Sequence, residues 1–123
     1  MRILIADDDR AFTQLLAEWL RGKRFEVQIS ADAATALVAA TARPPDLILL
    51  DIRMPAGNGI DTLRKLKRLP RTRDVPVIVI SAVQEPSPAK EVCSLGAERF
   101  LPKPVQLNEL YCAINDALHL REG

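Results

Sequence analysis

The chain has little of what marks membrane, secreted or zinc-bound proteins. Its continuous apolar runs, such as 3–6, 47–50 and 77–80, are far shorter than the ~20 residues that a membrane helix needs. The first run leads directly into three aspartates, so it does not form a signal peptide. Cys93 and Cys112 lack the spacing of a zinc site or a disulfide framework. These absences predict a cytoplasmic protein whose two reduced thiols pack within helices.

An excess of charge of one sign is also missing. The 17 basic and 16 acidic residues leave a net charge of +1, which argues against bulk nucleic-acid binding because such domains are usually basic. Basic residues do cluster at 64–73, and we interpret them as the solvated side of a helix and its loop. The single histidine, His119, does not fit a phosphohistidine or a metal ligand. A hydrophobic content of 48% in 123 residues predicts one globular domain, 1–123.

Short apolar runs alternate with helical patterns along the chain. We predict strands at 2–6, 25–29, 47–50, 77–80 and 100–101, and helices near 11–21, 32–42, 58–69, 88–95 and 107–118. The runs at 47–50 and 77–80 are apolar throughout, which is typical of central parallel strands. In 25–29, Phe25, Val27 and Ile29 alternate with polar residues, so this strand is predicted to bury one face, which includes Ile29, and to lie at an edge. The pattern predicts an α/β fold with right-handed crossovers. The known flavodoxin-like order 2-1-3-4-5 satisfies this placement of central and edge strands, so we expect a doubly wound five-stranded parallel sheet of that order.

Each helix is expected to bury one stripe of side chains. In the first helix the stripe consists of Phe12, Leu15, Leu16, Trp19 and Leu20. In the second helix Leu37 and Val38 are predicted to face the core, and Ser87 is predicted to cap the fourth helix ahead of Pro88.

Polar residues follow the predicted strands where each strand ends. They are Asp7, Asp8, Asp9, Asp51, Ser81 and Lys103. Ligands of doubly wound sheets bind at the carboxyl ends of strands, where the strand order reverses. Clustered carboxylates cannot all stay ionised without a partner, and a hard divalent cation is a suitable one. The pattern therefore predicts a site for a cation and a phosphoryl group, with Asp51 as a nucleophile and Asp9 as a helix cap.

These motifs together resemble a receiver domain of two-component response regulators. The matching stretches are ILIADDD at 3–9, LLDIRMP at 49–55 with Gly59, ISA at 80–82, GA at 96–97 and KP at 103–104. The resemblance extends from residue 1 to about 118. It implies a phosphorylatable signalling switch rather than a metabolic enzyme. Such a switch catalyses its own phosphoryl transfer and its slow autodephosphorylation.

The resemblance also implies a role for each residue of the site. Asp51 is similar to the phosphoacceptor, and Lys103 to the lysine that pairs first with the carboxylate and then with the phosphoryl group. Asp8 resembles the direct carboxylate ligand of magnesium (Mg²⁺), for which Mn²⁺ can substitute. Asp7 is expected to act on the metal mainly through water. Asp51 itself and the backbone carbonyl of Arg53 complete the expected ligand set.

Transmission of the signal is implied in the same way. Ser81 and Phe100 resemble the hydroxyl and aromatic switch pair, with Phe100 where tyrosine is common, and the peptide bond before Pro104 is expected to be cis. Phosphorylation would remodel the surface of the fourth helix, fifth strand and fifth helix. Arg53 and Val83 are hypothesised to set the lifetime of the aspartyl-phosphate by shielding it from water.

The expected partners follow from the same resemblance. A sensor histidine kinase or phosphotransfer protein would donate the phosphoryl group from a phosphohistidine. An output domain or effector protein would bind the remodelled surface, and a phosphorylation-dependent dimer is a further option. No membrane contact and no direct nucleic-acid contact are expected of this domain. The chain is either a stand-alone receiver or the receiver part of a longer regulator.

Three other interpretations remain open at this point. An aspartate-based phosphatase would use Asp7 and Asp9, but Ala11 departs from its motif and Asp51 would have no role. A flavin-binding domain of the same topology needs a loop rich in Ser, Thr and Gly after the first strand, where these aspartates would repel the phosphate. A degenerate receiver would serve only as an interaction module, and the intact set of acids, hydroxyl and lysine argues against it.

Overall fold

The computed structural model describes residues 1–53, 59–82 and 87–122, with side chains described as far as 119. Strands and helices alternate along these residues, as the sequence predicts. The strands are β1 (Arg2–Ala6), β2 (Glu26–Ser30), β3 (Leu47–Leu50), β4 (Val77–Ala82) and β5 (Arg99–Lys103). The helices are α1 (Arg10–Gly22), α2 (Ala33–Ala42), α3 (Gly59–Arg68), α4 (Ala89–Ser94) and α5 (Leu107–Glu122).

The five strands form one parallel sheet of order β2-β1-β3-β4-β5, which confirms the predicted topology. The register places Ala6 of β1 opposite Leu50 of β3, so these two strands end at the same level. The backbone N–H of Asp51 donates to the carbonyl of Ala6 at 2.9 Å, and that of Asp7 donates to the carbonyl of Ser30 at 3.0 Å. The residues that follow β1 and β3 therefore emerge side by side.

Helices cover both faces of the sheet, and two apolar clusters fill the space between. Successive side chains of a strand point to opposite faces, so Ile3 and Ile5 pack with α1 and α5. Leu4 and Ala6 pack with α2, α3 and α4 on the other face. All four residues of β3 are buried for this reason. The residues at the edge of the sheet are thereby supported by a sheet that is packed on both faces.

Three predictions about buried side chains are wrong. Leu15 is 61% exposed and Val38 is 66% exposed. One residue corresponds to about 100° around a helix, and this rotation turns both side chains away from the sheet. In α2 the buried residues are Ala33, Ala36 and Ala40. Ile29 is also exposed, because β2 is the edge strand.

The ends of α4 and the two cysteines also differ from expectation. The cap position of α4 is held by Pro88 instead of Ser87, whose hydroxyl accepts a hydrogen bond from the N–H of Ala89 at 3.2 Å. Cys93 and Cys112 are free thiols on α4 and α5, but they are exposed instead of packed. The described part of the chain contains no helix with the length and apolar character to cross a membrane.

Two members of the basic cluster at 64–73 have structural partners. Lys67 donates from Nζ to the carbonyl of Val75 at 2.8 Å, and burial lowers the pKa of its ammonium. Arg71 donates from Nε to the carbonyl of Thr41 at 2.8 Å, near the end of α2. A cation at a helix C-terminus also interacts favourably with the helix dipole. The cluster therefore joins neighbouring elements and is not wholly a solvated surface.

Candidate functional site

The structure brings the predicted site residues together at the carboxyl edge of the sheet. Asp7 and Asp51 directly follow β1 and β3, while Ser81 and Lys103 lie at the ends of β4 and β5. Asp7 is 3% exposed, Asp51 is 6% exposed and Ser81 is fully buried. Asp8 is exposed beside them. The site therefore consists of two buried carboxylates, Asp7 and Asp51, with the exposed carboxylate of Asp8 on its solvent side.

Both carboxylate oxygens of Asp51 accept hydrogen bonds. Its Oδ1 accepts from the hydroxyl of Ser81 at 2.8 Å and from the backbone N–H of Arg53 at 2.9 Å. Its Oδ2 accepts from Nζ of Lys103 at 3.3 Å. The contacts come from β4, from the segment after β3 and from β5. They fix the orientation of a nearly buried anion, which would be costly to bury without partners.

Lys103 is shared between two carboxylates. Its Nζ donates to Asp7 Oδ2 at 2.8 Å as well as to Asp51. Burial raises the pKa of Asp7, although the hydrogen bond from Lys103 partly offsets this effect. Burial alone would lower the pKa of Lys103, but the hydrogen bonds and charges of Asp7 and Asp51 outweigh it and raise that pKa. The lysine therefore stays cationic and balances only part of the negative charge.

The remaining negative charge suits a divalent cation. Asp7, Asp8 and Asp51 each offer a carboxylate oxygen, and these oxygens all lie within 4.8 Å of one another. Three carboxylates meet one ammonium here, and hard cations such as Mg²⁺ prefer oxygen ligands. The donor set could thus hold such an ion. The N–H of Arg53 at Asp51 Oδ1 places the backbone of Arg53 at the same site.

Asp9 caps helix α1, as predicted. Its Oδ1 accepts a hydrogen bond from the N–H of Phe12 at 3.1 Å. The ring of Phe12 in turn lies 4.6 Å from Nζ of Lys103, measured to the ring centroid. The sequence pattern places Phe12 only in the buried stripe of α1 and does not predict this contact. No local signal could have revealed it, because the two residues belong to α1 and β5.

The remaining predicted residues are only partly described. Phe100 is partly buried and packs against the apolar cluster on the face of α2, α3 and α4. The peptide bond between Lys103 and Pro104 is cis, as expected. Three residues named in the sequence motifs or hypotheses lie outside the described residues, namely Met54, Pro55 and Val83.

Comparison with known proteins identifies the family. A family model described as the response regulator receiver domain matches residues 3–115. The chain belongs to this family. The receiver domain is 40% identical over 104 residues to the response regulator PleD of Caulobacter vibrioides, a match that covers 85% of this chain and 23% of PleD. It is 40% identical over 117 residues to the transcriptional regulatory protein CpxR of Klebsiella pneumoniae, covering 95% of this chain and 49% of CpxR.

Solved structures support the same assignment. A response regulator receiver domain protein from Clostridium thermocellum superposes with a TM-score of 0.89 at 28% identity, covering 98% of this receiver and 96% of that chain. A CheY-like receiver domain protein from Methanospirillum hungatei gives a TM-score of 0.88 at 28% identity, covering 98% and 95%. This receiver spans about half the length, or less, of the curated relatives PleD and CpxR.

Family membership decides against two of the alternatives. A receiver domain matched over residues 3–115 is neither an aspartate-based phosphatase nor a flavin-binding domain. The second acid of the phosphatase motif, Asp9, is instead the cap of α1.

Proposed function

We propose that this receiver is a phosphorylatable switch in which Asp51 accepts a phosphoryl group. The observation that carries the proposal is the environment of Asp51. Its carboxylate is nearly buried and is held by Ser81, Lys103 and a backbone N–H, with two further carboxylates beside it. A structural ion pair would not need three acids around one lysine. A phosphoryl acceptor does need a fixed carboxylate, a cation and hydroxyl or amide donors.

The proposed donor is a phosphohistidine of a sensor histidine kinase or of a phosphotransfer protein. A carboxylate oxygen of Asp51 forms a bond to phosphorus while the bond from phosphorus to the imidazole nitrogen breaks. The imidazole leaves with the electron pair of that bond. The product is an acyl phosphate on Asp51. Its oxygens are then within reach of the Lys103 ammonium, and the Ser81 hydroxyl donates to one of them.

Mg²⁺, or Mn²⁺ in its place, is the proposed cofactor. Asp7, Asp8, Asp51 and the backbone carbonyl of Arg53 would hold the ion. When bound, the ion supplies positive charge that stabilises the phosphoryl oxygens. Asp8 is exposed and can bind the ion directly, whereas Asp7 is engaged with Lys103 and fits a role through water.

The proposed output surface consists of α4, β5 and α5. The Ser81 hydroxyl donates a hydrogen bond to the carboxylate of unphosphorylated Asp51. A phosphoryl group on Asp51 would give this hydroxyl a new acceptor. Phe100 on the neighbouring strand β5 lies opposite Val79 and is only partly buried, which leaves it able to repack. We propose that an output domain or effector protein, or a second receiver, binds this surface in the cytoplasm. A role of Arg53 and Val83 in the lifetime of the phosphoryl group stays a prediction.

The test is covalent labelling by a small phosphodonor. Incubation with acetyl phosphate and Mg²⁺ should add the mass of one phosphoryl group to the wild-type receiver, and hydroxylamine should remove it because acyl phosphates react with this nucleophile. Asp51→Asn should abolish the labelling. Asp61→Asn serves as the matched control, since Asp61 is an exposed acid on α3 that pairs with Lys65. Hydroxylamine-sensitive labelling that persists in Asp51→Asn would remove Asp51 as the acceptor.

A further inference from the structure

The ammonium of Lys103 has a third neighbour besides its two carboxylates. Its Nζ lies 4.6 Å from the centroid of the Phe12 ring, which is within the ~6 Å range of a cation–π contact. The same nitrogen donates to Asp7 Oδ2 at 2.8 Å and to Asp51 Oδ2 at 3.3 Å. The cation is therefore enclosed by two anions and the negative face of an aromatic ring.

Phe12 is held by contacts of its side chain and through its backbone. Its backbone N–H donates to the capping carboxylate of Asp9 at 3.1 Å, which anchors the first turn of α1. Its side chain is partly buried and packs against the apolar cluster that contains Leu16 and Ile80. These contacts give the ring a defined position beside the lysine. The side chain of Lys103 is 21% exposed, so the contact is partly shielded from water.

The position of the ammonium matters because two anions compete for it. A lysine ammonium is a point charge on a flexible stem, and its contact to Asp7 is 0.5 Å shorter than its contact to Asp51, from the 2.8 and 3.3 Å distances. A fixed third contact reduces the set of positions open to the cation. A charge-balancing group that is already restricted in this way favours the transfer step, because less entropy is lost in orienting it when the phosphoryl group is transferred.

We propose that Phe12 is a positioning residue whose ring face holds the Lys103 ammonium beside Asp51 for phosphoryl transfer. The inference rests on the proposed role of Asp51 as acceptor. Phe12 touches neither the metal nor the phosphoryl group in this scheme and acts only through the lysine. The competing explanation is that Phe12 merely fills space in the core.

The two explanations predict different effects when the charge distribution of the ring is changed while its size is kept. Replacing Phe12 with pentafluorophenylalanine nearly conserves the size of the ring but reverses its quadrupole, so packing is kept and cation binding is lost. Phe12→Leu removes the ring, and Phe12→Tyr keeps a cation-binding face. We expect labelling of Asp51 by acetyl phosphate to be about two- to fivefold slower in the pentafluorophenylalanine variant and in Phe12→Leu than in wild type. Phe12→Tyr should retain the wild-type rate.

A second measurement needs no metal and no phosphodonor. The ring current of Phe12 shifts the NMR signals of the Lys103 ε-methylene protons upfield when the ammonium lies over the ring. In the metal-free protein, Phe12→Leu should abolish this shift and Phe12→Tyr should preserve it. In the pentafluorophenylalanine variant the same signals should move away from their wild-type positions as the ammonium leaves the ring.

Phe25→Leu is the matched control. Phe25 is a partly buried phenylalanine that packs against the same apolar cluster, on the segment before β2. This variant should lose stability, followed by thermal unfolding, without a change in the labelling rate. A wild-type rate in a folded pentafluorophenylalanine variant overturns the inference, and so does equal slowing by Phe25→Leu. Failure of the wild-type receiver to label at Asp51 would instead refute the proposed function, while the metal-free NMR measurement still tests the contact.

Discussion

Lys103 is the one cation that contacts both Asp7 and Asp51 among the described residues. Both carboxylates are nearly buried, and buried charges are tolerated only when they are paired. The ammonium is therefore expected to matter for folding as well as for chemistry. Its removal would leave two adjacent anions without a counter-ion.

Lys103→Met should lower the free energy of unfolding by about 1–3 kcal/mol at neutral pH. Burial already raises the pKa of Asp7, and loss of the ammonium would raise it further. A carboxyl group with a raised pKa in the folded state contributes stability below its unfolded-state pKa, and loses it as the pH rises through the folded-state value. The loss in free energy of unfolding of Lys103→Met, relative to wild type, should therefore be smaller near roughly pH 4 than at neutral pH. Urea unfolding at both pH values measures it.

Lys65→Met provides the control for this experiment. Lys65 forms an exposed ion pair with Asp61 at 3.2 Å on α3, and exposed pairs contribute only about 0–1 kcal/mol. Its substitution should therefore change little at either pH. A deficit of Lys103→Met that is equal at both pH values, or larger in acid, would contradict the proposed origin of the effect.

At the scale of the elements, the first residue of α3, Gly59, lies in close contact with the backbone that follows β3. The N–H of Gly59 donates to the carbonyl of Ile52 at 3.2 Å. A Cβ atom on Gly59 would lie 2.7 Å from the carbonyl carbon of Ile52 and nearer still to its Cα. Ile52 directly follows Asp51. The start of α3 thus needs a residue without a side chain, and the backbone that a side chain there would displace is adjacent to the proposed acceptor.

Gly59→Ala should therefore destabilise the receiver by about 1–3 kcal/mol, the usual range for overpacking. It should also slow labelling of Asp51, because the backbone after β3 must move. Gly22→Ala is the matched control, since nothing lies within 4 Å of a Cβ added at Gly22. Alanine at that position of α1 should be neutral or stabilising by up to about 1 kcal/mol. Chemical denaturation compares the two variants, and equal stability of both would contradict the steric argument.

The predictability of the elements depended on how strongly each one is patterned. The buried strands β3 and β4 are continuous apolar runs, and such runs between helices have few other interpretations. The inner face of α2 was harder to predict because alanines cover most of its surface. Packing selected Ala36 and Ala40 for close approach to the sheet and left Val38 outside. In β2, alternation marked an edge strand correctly but did not reveal that Ile29 is exposed.

In the whole molecule, the candidate metal site exists only when β1 and β3 are paired. The carboxylates of Asp7, Asp8 and Asp51 converge because Ala6 and Leu50 are opposite each other in the sheet. An unfolded chain has no such arrangement. Binding of an ion at this site should therefore stabilise the entire domain against unfolding.

Mg²⁺ should raise the melting temperature of the receiver in a concentration-dependent way. At an ion concentration of 100 times the dissociation constant, the stabilisation is about 2.7 kcal/mol. Asp8→Asn should weaken this response, because it removes a charged ligand at the open side of the site. Asp61→Asn should keep the wild-type response, since Asp61 lies on α3 in an ion pair with Lys65. Thermal scans at constant ionic strength provide the measurement, and identical responses of wild type and Asp8→Asn would exclude Asp8 as a ligand.

The sequence by itself determined the fold class and the acids, hydroxyl and lysine at the strand ends, and its central and edge strands fitted the known order 2-1-3-4-5 of doubly wound sheets. This was possible because apolar runs with polar ends follow local rules of strand burial and crossover direction. Only the tertiary structure decided how those groups meet, including the lysine shared between Asp7 and Asp51 and the ring of Phe12 against it. These contacts join α1, β1, β3 and β5, so they depend on register and helix docking. No local pattern encodes distances of a few ångströms between elements so far apart in the chain.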